Sequence, residues 1–235
     1  NANNNWGTSG PVLSADYKER VAYDPNGNIL TYLRNGRNSV NGTAMDDLAY
    51  KYDYYDGNVR HTYIPGQTTI PSGARLTNRL NSVTDQAGGT YTEDIKSQND
   101  NNYEYDEIGN LTKDVSEGIT NIAWNVYGKI QSITKSSGTI TYDYDATGNR
   151  ISKTANGKTS FYVRDASGNV MGIYEKSNSL NNGELTLTEL HLYGSSRLGI
   201  FNRSINVQNI ATNTTGIFTF ERGNKFFELS NHLGN

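Results

Sequence analysis

Hydrophobic and polar positions alternate in short runs along this 235-residue chain, most clearly at Thr139-Ile140-Thr141-Tyr142-Asp143-Tyr144. A period of two places Ile140, Tyr142 and Tyr144 on one face of a strand. The alternation resumes at Arg150-Ile151-Ser152-Lys153-Thr154. Asn156-Gly157 then gives a tight-turn signal before Thr159-Ser160-Phe161-Tyr162-Val163, so this stretch reads as consecutive β-hairpins.

The turns between the runs repeat almost word for word: YDPNGN at 23–28, YDEIGN at 105–110, YDATGN at 144–149 and RDASGN at 164–169. Their aspartates, Asp24, Asp106, Asp145 and Asp165, are 82, 39 and 20 residues apart, close to four, two and one steps of about 20 residues, which marks a repeat architecture. An Asp at the first turn position accepts hydrogen bonds from backbone N–H groups two residues on. Two variable residues and a Gly then fit a type I turn followed by a left-handed residue. Gly27, Gly109, Gly148 and Gly168 are therefore backbone requirements, and Asn28, Asn110, Asn149 and Asn169 complete the segments. Degenerate copies are expected at 119–133 and 189–200, where Tyr127-Gly128 and Tyr193-Gly194 replace the Tyr-Asp pair.

At about 20 residues and two strands per repeat, the chain holds roughly ten repeats and 18 to 22 strands. The fold expected is all-β, a spiralling sheet of hairpins in one sizeable domain. Residues 1–15 read as an irregular lead-in and 16–235 as the repeat region. An insertion is expected at about 54–76, where Pro65 and Pro71 lie, an extended loop at 176–184, and either a polar strand or a loop at 206–216.

Composition sharpens this picture. Seventeen tyrosines accompany a hydrophobic content of only 34%, so large rings with wet hydroxyls replace aliphatic core. The 31 asparagines and 24 glycines are what a turn-rich chain needs. A net charge of −3 without clustered Lys or Arg offers no nucleic-acid footprint. No run of about 18 apolar residues is present, so no membrane-spanning helix is expected. The absence of cysteine excludes disulfides, thiol catalysis and cysteine zinc sites. The chain reads as part of a longer polypeptide that carries any targeting signal elsewhere.

These segments resemble the YD repeats of the rearrangement-hotspot (Rhs) family, whose pattern is Tyr-Asp-x-x-Gly-Asn followed by a small strand. Tyr23-Asp24, Tyr105-Asp106 and Tyr144-Asp145 match it fully, whereas Arg164-Asp165 lacks the Tyr. The stretches 45–53 and 78–85 resemble variants in large secreted proteins of Bacteroidetes-type bacteria. Glu228-Leu229-Ser230-Asn231-His232-Leu233-Gly234-Asn235 resembles the opening of the Rhs-associated core, placed at about 221–235. The resemblance implies a secreted or cell-surface bacterial protein of the polymorphic-toxin type, in which the repeats form a β-shell enclosing or presenting a C-terminal effector. The partners implied are the neighbouring repeats and that passenger. Secretion-machinery proteins or surface glycans stand as alternatives, in an export-bound scaffold or a carbohydrate-binding adhesin.

No catalytic residue carries over, and no enzyme activity, cofactor or metal is expected. Asp24, Asn26 and Asn28 alternate like calcium ligands, but Gly comes too early and no Glu follows at the twelfth position, so turn formation is the better account. His61, His191 and His232 lack neighbours at metal spacing. Ser195-Ser196 sits in Gly-Ser-Ser-Arg-Leu-Gly, which is not a nucleophile elbow. The strand tyrosines recur at positions set by the repeat, which favours packing over a glycan platform.

Overall fold

The computed structural model describes residues 15–39, 42–64, 70–87, 95–214 and 222–229. The fold is all-β and antiparallel, as the alternation predicts, with sixteen strands and two short 3-10 turns among the described residues. The chain divides into two compact units, Asn1–Gly118 and Ile119–Asn235, where the sequence suggested one domain. No Pro-, Ser- or charge-rich linker announces the division. It falls just after Val115-Ser116-Glu117-Gly118, a turn closed by Gly118 N–H on the Val115 carbonyl at 3.0 Å, so the sequence shows only one more tight turn there.

The first unit contains a five-stranded sheet. Its strands are β1 (Glu19–Tyr23), β2 (Ile29–Ser39), β3 (Gly42–Asp56), β4 (Val59–Tyr63) and β5 (Arg75–Asp85). The long β3 organises it: β2 and then β4 pair along one edge, and β5 runs along the other. The expected insertion is thus partly strand. Residues 54–63 belong to β3 and β4, because Asp56-Gly57-Asn58 is itself tight-turn chemistry, with Gly57 at φ +58°. Pro65 lies outside the described residues, and the Pro71 carbonyl closes a turn on Ala74 N–H. A further hairpin, β6 (Tyr103–Tyr105) and β7 (Leu111–Asp114), spans the Asp106 turn. Leu48 and Val83 are buried beside polar Asp53, Asn81 and Ser82.

The second unit is a meander in which each strand pairs with the next: β8 (Ile119–Trp124), β9 (Ile130–Lys135), β10 (Gly138–Tyr144), β11 (Arg150–Ala155), β12 (Lys158–Arg164), β13 (Val170–Lys176), β14 (Thr186–Tyr193), β15 (Arg197–Asn206) and β16 (Lys225–Phe227). On β10, Ile140, Tyr142 and Tyr144 are half-buried while Thr139, Thr141 and Asp143 are exposed, as the period of two requires. Asn156 and Gly157 both have positive φ, 51° and 72°, the signature of a two-residue type I′ hairpin. The described residues form sixteen strands, and β2, β3 and β5 run to 11, 15 and 11 residues, well beyond a repeat strand.

Residues that oppose one another across the strands share a face. One face of β12–β15 carries the rows Phe161–Tyr174–Leu187–Ile205 and Val163–Gly172–Leu190–Phe201. The other face carries Tyr142, Arg150, Lys153, Ser160 and Tyr162. The segment from 176 to 184 holds a bridge between Ser177 and Leu180 and a 3-10 turn at Asn181–Gly183. The 206–214 loop is tied down by Asn206, whose Oδ1 accepts from Gln208 and Asn209 N–H at 3.1 and 2.8 Å. Residues 215–221 and 230–235, with His232, lie outside the described residues, as does most of the 1–15 lead-in.

Strand β16 pairs with β15 where Gly199 opposes Phe227. A Cβ at Gly199 would overlap the Phe226 carbonyl and approach Phe227 Cα to 2.9 Å. Gly199→Ala is therefore expected to release β16 while leaving β8–β14 intact. Faster amide exchange confined to 197–206 and 224–228 would register this, and unchanged protection there would refute the close approach.

Candidate functional site

All twelve residues of the repeated segments lie in turns of one design. Asp145 Oδ1 accepts from Thr147 and Asn149 backbone N–H, both at 2.9 Å, and from the Thr147 hydroxyl at 2.7 Å. Asp24 accepts from Asn26 and Asn28 N–H at 2.9 and 2.8 Å, and Asp165 from Ser167 and Asn169 N–H at 2.9 and 2.8 Å. Asp106 accepts from Gly109 and Asn110 N–H, both at 2.8 Å. The glycines adopt left-handed φ of +86° (Gly27), +101° (Gly109), +84° (Gly148) and +87° (Gly168). The terminal Asn gains a role that its position in the sequence does not reveal. Asn28, Asn110, Asn149 and Asn169 each donate their side-chain amide to the second carboxylate oxygen, at 2.7, 2.8, 3.3 and 2.9 Å.

These bonds favour the ionised carboxylates. The Thr147 hydroxyl and then the Asn149 backbone N–H hold Asp145 below the ordinary value of 3.8. Asn169 does the same for Asp165, first through its amide side chain and then its backbone. At Asp24 and Asp106 partial desolvation pushes upward, and the side-chain and backbone bonds from Asn28 or Asn110 together outweigh it. A carboxyl with a lowered folded pKa adds stability above its unfolded value and loses it as pH falls through the folded one. Asp145→Asn keeps an oxygen acceptor at this position and removes the titration. It is expected to melt below wild type at pH 7 and to lose less melting temperature than wild type as pH falls below 3.8, so that the two converge. Identical acid slopes would show that the turn carboxylate does not matter.

The structure forms the copy expected within 119–133 and corrects its register. At 124–129 the pair in place of Tyr-Asp is Trp124-Asn125, not Tyr127-Gly128. Asn125 Oδ1 accepts from Tyr127 and Lys129 N–H, both at 3.0 Å, because an amide oxygen accepts in the same geometry as a carboxylate. Tyr127 is a turn-tip residue with 83% of its surface exposed. At 193–197 Tyr193-Gly194 does occupy the expected place, and Gly194 N–H meets the Ser196 carbonyl at 2.9 Å.

Tyrosines near the strand ends and on β3 make a second recurring bond. Tyr52, Tyr144 and Tyr193 hydroxyls donate to the Ile29, Ile130 and Val170 carbonyls at 2.9, 2.8 and 3.0 Å. Each acceptor directly follows the last residue of an earlier turn segment: Asn28, Lys129 or Asn169. Tyr105 donates to the Leu80 carbonyl at 3.0 Å, and its burial pushes the phenol up to about 12, so this hydroxyl keeps its proton through neutral pH. Where Arg164 replaces Tyr, its guanidinium reaches the Arg150 carbonyl at 3.3 and 3.2 Å, and Arg150 again follows a turn segment. Tyr144 and Arg164 of the motif, like Tyr52 and Tyr193, thus latch onto the residue that follows an earlier turn. Tyr144→Phe should cost about 1 kcal/mol in urea unfolding, and a loss below a few tenths would remove the latch.

Neighbouring turns also touch. A Cβ on Gly168 would stand 3.6 Å from the Asn149 amide, and one on Gly148 would stand 3.6 Å from Lys129 Cε. In the first unit, Asn28 donates to Asn78 Oδ1 at 2.9 Å, while Arg79 donates to the Asp106 and Glu107 carbonyls at 2.8 and 3.0 Å. Among the described residues no three His, Cys, Asp or Glu side chains cluster as a metal site. His61 stacks on Tyr54 at 4.9 Å, and buried His191 lies 3.5 Å from Glu189. Ser195 and Ser196 sit in an exposed bend.

The motif residues thus spend their hydrogen bonds on turns and on one another. With that geometry, a stretch of 160 residues, 67% of the chain, is 30% identical to the tRNA nuclease WapA of Bacillus subtilis strain 168. The chain is similar to a WapA segment. It spans about 6% of that protein. The tRNA(Glu)-specific nuclease WapA of Bacillus subtilis subsp. natto is 31% identical over 116 residues, 48% of this chain and 5% of its own. No family model matches the chain. A crystal structure of TcdB2-TccC3-TEV aligns with 81% of this chain and 11% of its own at a TM-score of 0.36 and 10% identity. Among the described residues no helix is long and apolar enough to cross a membrane.

Proposed function

We propose that this chain is a non-enzymatic wall segment of a secreted or surface-exposed YD-repeat protein of the Rhs type, enclosing or presenting a C-terminal effector. The observation that carries this reading is the latch. At five places a Tyr or Arg side chain closes on the backbone of an earlier segment, which supports a motif whose side chains serve to build a sheet. The similarity to WapA supports a toxin-associated parent. The nuclease activity in those names is a property of proteins of which this chain matches about 6%. Against a glycan platform stands the use of the Tyr hydroxyls, since those of Tyr52, Tyr105, Tyr144 and Tyr193 are engaged with backbone.

The test is limited proteolysis of the intact parent polypeptide with mass spectrometry. A segment C-terminal to Asn235 that resists protease until the wall is denatured is the expected result. Immediate cutting of that segment would reject confinement and favour an adhesin or an export-bound scaffold.

A further inference from the structure

Between the hairpin turns at 124–129 and 144–149 lies a hollow of about 380 Å³, whose walls include Asn125, Tyr127, Lys129, Gln131, Tyr142 and Thr147. Tyr127 is not a residue that the repeat demands. Its place in the other turns is taken by Asn26, Ile108, Thr147 and Ser167, and its ring stands 83% exposed at the turn tip. Its backbone N–H is bonded to Asn125, but its hydroxyl has no partner among the described residues. The half-buried Tyr142 ring, held by the Arg150 guanidinium 5.6 Å from its centre, gives the hollow a second aromatic wall.

The polar groups around this hollow divide by kind, and the acceptors are filled. Asn125 Oδ1 takes two backbone N–H groups. Asp145 Oδ1 takes the Thr147 and Asn149 N–H groups and the Thr147 hydroxyl, while its second oxygen takes the Asn149 amide. The Thr147 oxygen also accepts from Asn149 at 2.7 Å. Asp143 lies on the opposite face of β10 from Tyr142 and Tyr144, where it accepts from Ser152. The donors are free: the Tyr127 and Tyr142 hydroxyls, the Gln131 amide and the Lys129 ammonium have no partner among the described residues. The walls carry Lys129 against Asp143 and Asp145, so net charge does not favour an anion, and the engaged carboxylates leave little for a cation. The ligand that fits is uncharged, rich in acceptors and poor in donors.

We propose that this hollow docks a proline-rich segment of a partner polypeptide in the polyproline II conformation. Proline has no N–H to donate, and in a polyproline II helix every carbonyl stays free of internal hydrogen bonds, so such a segment brings acceptors to Gln131, Tyr127 and Tyr142 and asks for few in return. Proline rings lie against aromatic side chains, as proline-rich motifs do in aromatic-lined grooves. The spacing agrees. Tyr127 belongs to one hairpin and Tyr142 to the next, and hairpins two strands apart recur at about 9.6 Å, against about 9.3 Å for one three-residue polyproline II turn. Residues i and i+3 of the segment therefore meet successive hairpins. A saccharide, which donates as often as it accepts, would find the acceptors taken. The chain's own four prolines, Pro11, Pro25, Pro65 and Pro71, stand at least six residues apart, so a second copy does not supply this segment.

The test titrates the 235-residue chain with a peptide of four Pro-Pro-Ala units, a peptide of four Gly-Gly-Ala units and maltotriose, with NMR shifts as the readout. The proline peptide is expected to bind and to move the amides of 125–131 and 142–148. The glycine peptide, which carries N–H donors and no fixed helix, and maltotriose are expected not to. Tyr127→Ala should weaken binding by roughly fivefold or more. Gln131→Glu, which trades the amide donor for an acceptor, should weaken it as well. Neither side chain is bonded within the fold, and melting curves check that both variants stay folded. Should either fail to fold, Tyr142→Phe, which keeps the ring and loses the hydroxyl, is expected to lower affinity by a smaller factor. No binding of the proline peptide, unchanged affinity in the folded variants, equal binding of the glycine peptide, tighter binding of maltotriose, or shifts outside these two hairpins would overturn the proposal. The site does not depend on confinement. Its failure leaves the shell reading standing, and proline-peptide binding with an unprotected passenger keeps the site and rejects the shell.

Discussion

Replacing Asp53 by alanine is expected to destabilise the first unit by about 3–5 kcal/mol, the penalty for removing one partner of a buried ion pair. Asp53 is 1% exposed. Its Oδ1 lies 2.8 Å from Arg60 Nε and accepts from Asn81 Nδ2 at 2.7 Å. Asn81, fully buried, in turn accepts from Asn101 N–H at 2.7 Å, and Arg60 donates to the Tyr103 carbonyl at 2.8 Å. One carboxylate therefore ties β3 to β4, β5 and the approach to β6. Its removal strands a guanidinium and an amide in a site with little water. Arg60 retains 26% side-chain exposure, which moves the expectation toward the lower end of the range. Amide exchange in β3 and β5 should quicken by about two orders of magnitude or more at 3 kcal/mol. The double variant Asp53→Leu with Arg60→Met should recover much of the loss, because an apolar pair of similar volume can replace a buried ion pair. A single-variant loss under 1 kcal/mol would mean that the pair does not organise the sheet.

Asp53 also shows where sequence reading reaches its limit. The turns were legible because their cause is local: Asp145 and Gly148 dictate backbone geometry within five residues, and no distant contact changes that. The alternation on β10 was legible for the same reason. The latch was not, since Tyr144 seeks a carbonyl 14 residues back and Tyr193 one 23 back, partners fixed only once the strands are in register. Arg164 looked like a departure from the motif although it makes the same contact, because a side-chain N–H and a phenol O–H are equivalent donors to a carbonyl. Trp124-Asn125 could have been found by treating Asn as an Asp surrogate and Trp as a Tyr surrogate. Tyr52-Asp53 shares the dipeptide of the turns but has no Gly three residues after the Asp, so its carboxylate is free to turn inward, and the pairing with Arg60 depends on a hairpin placed inside a supposed insertion. The division at Gly118 had no signal, because no linker and no change in composition accompanies it.

Phe201→Ala is expected to cost about 3–5 kcal/mol in the second unit, the usual range for emptying a buried aromatic site. Phe201 is 1% exposed and is the largest fully buried side chain among the described residues. It opposes Leu190 on β14 and Lys225 on β16, with the Arg203 guanidinium 4.8 Å from its ring centre. On the same rows the covering thins toward β12, where Phe161 and Val163 are 39% and 48% exposed. Apolar burial is therefore concentrated on β14 and β15, whereas the turns and latches recur along the meander. In an array whose strands touch only their neighbours, stability is a sum of local terms, and damage fades with distance along the array. Amides of β13–β16 should exchange fastest in the variant and those of β8 and β9 least changed, with Phe201→Leu recovering most of the loss. Equal acceleration from β8 to β16 would instead show that the unit opens as one cooperative body. The latches would then transmit the loss along the whole meander, and a single core residue would decide whether any part of it stays paired.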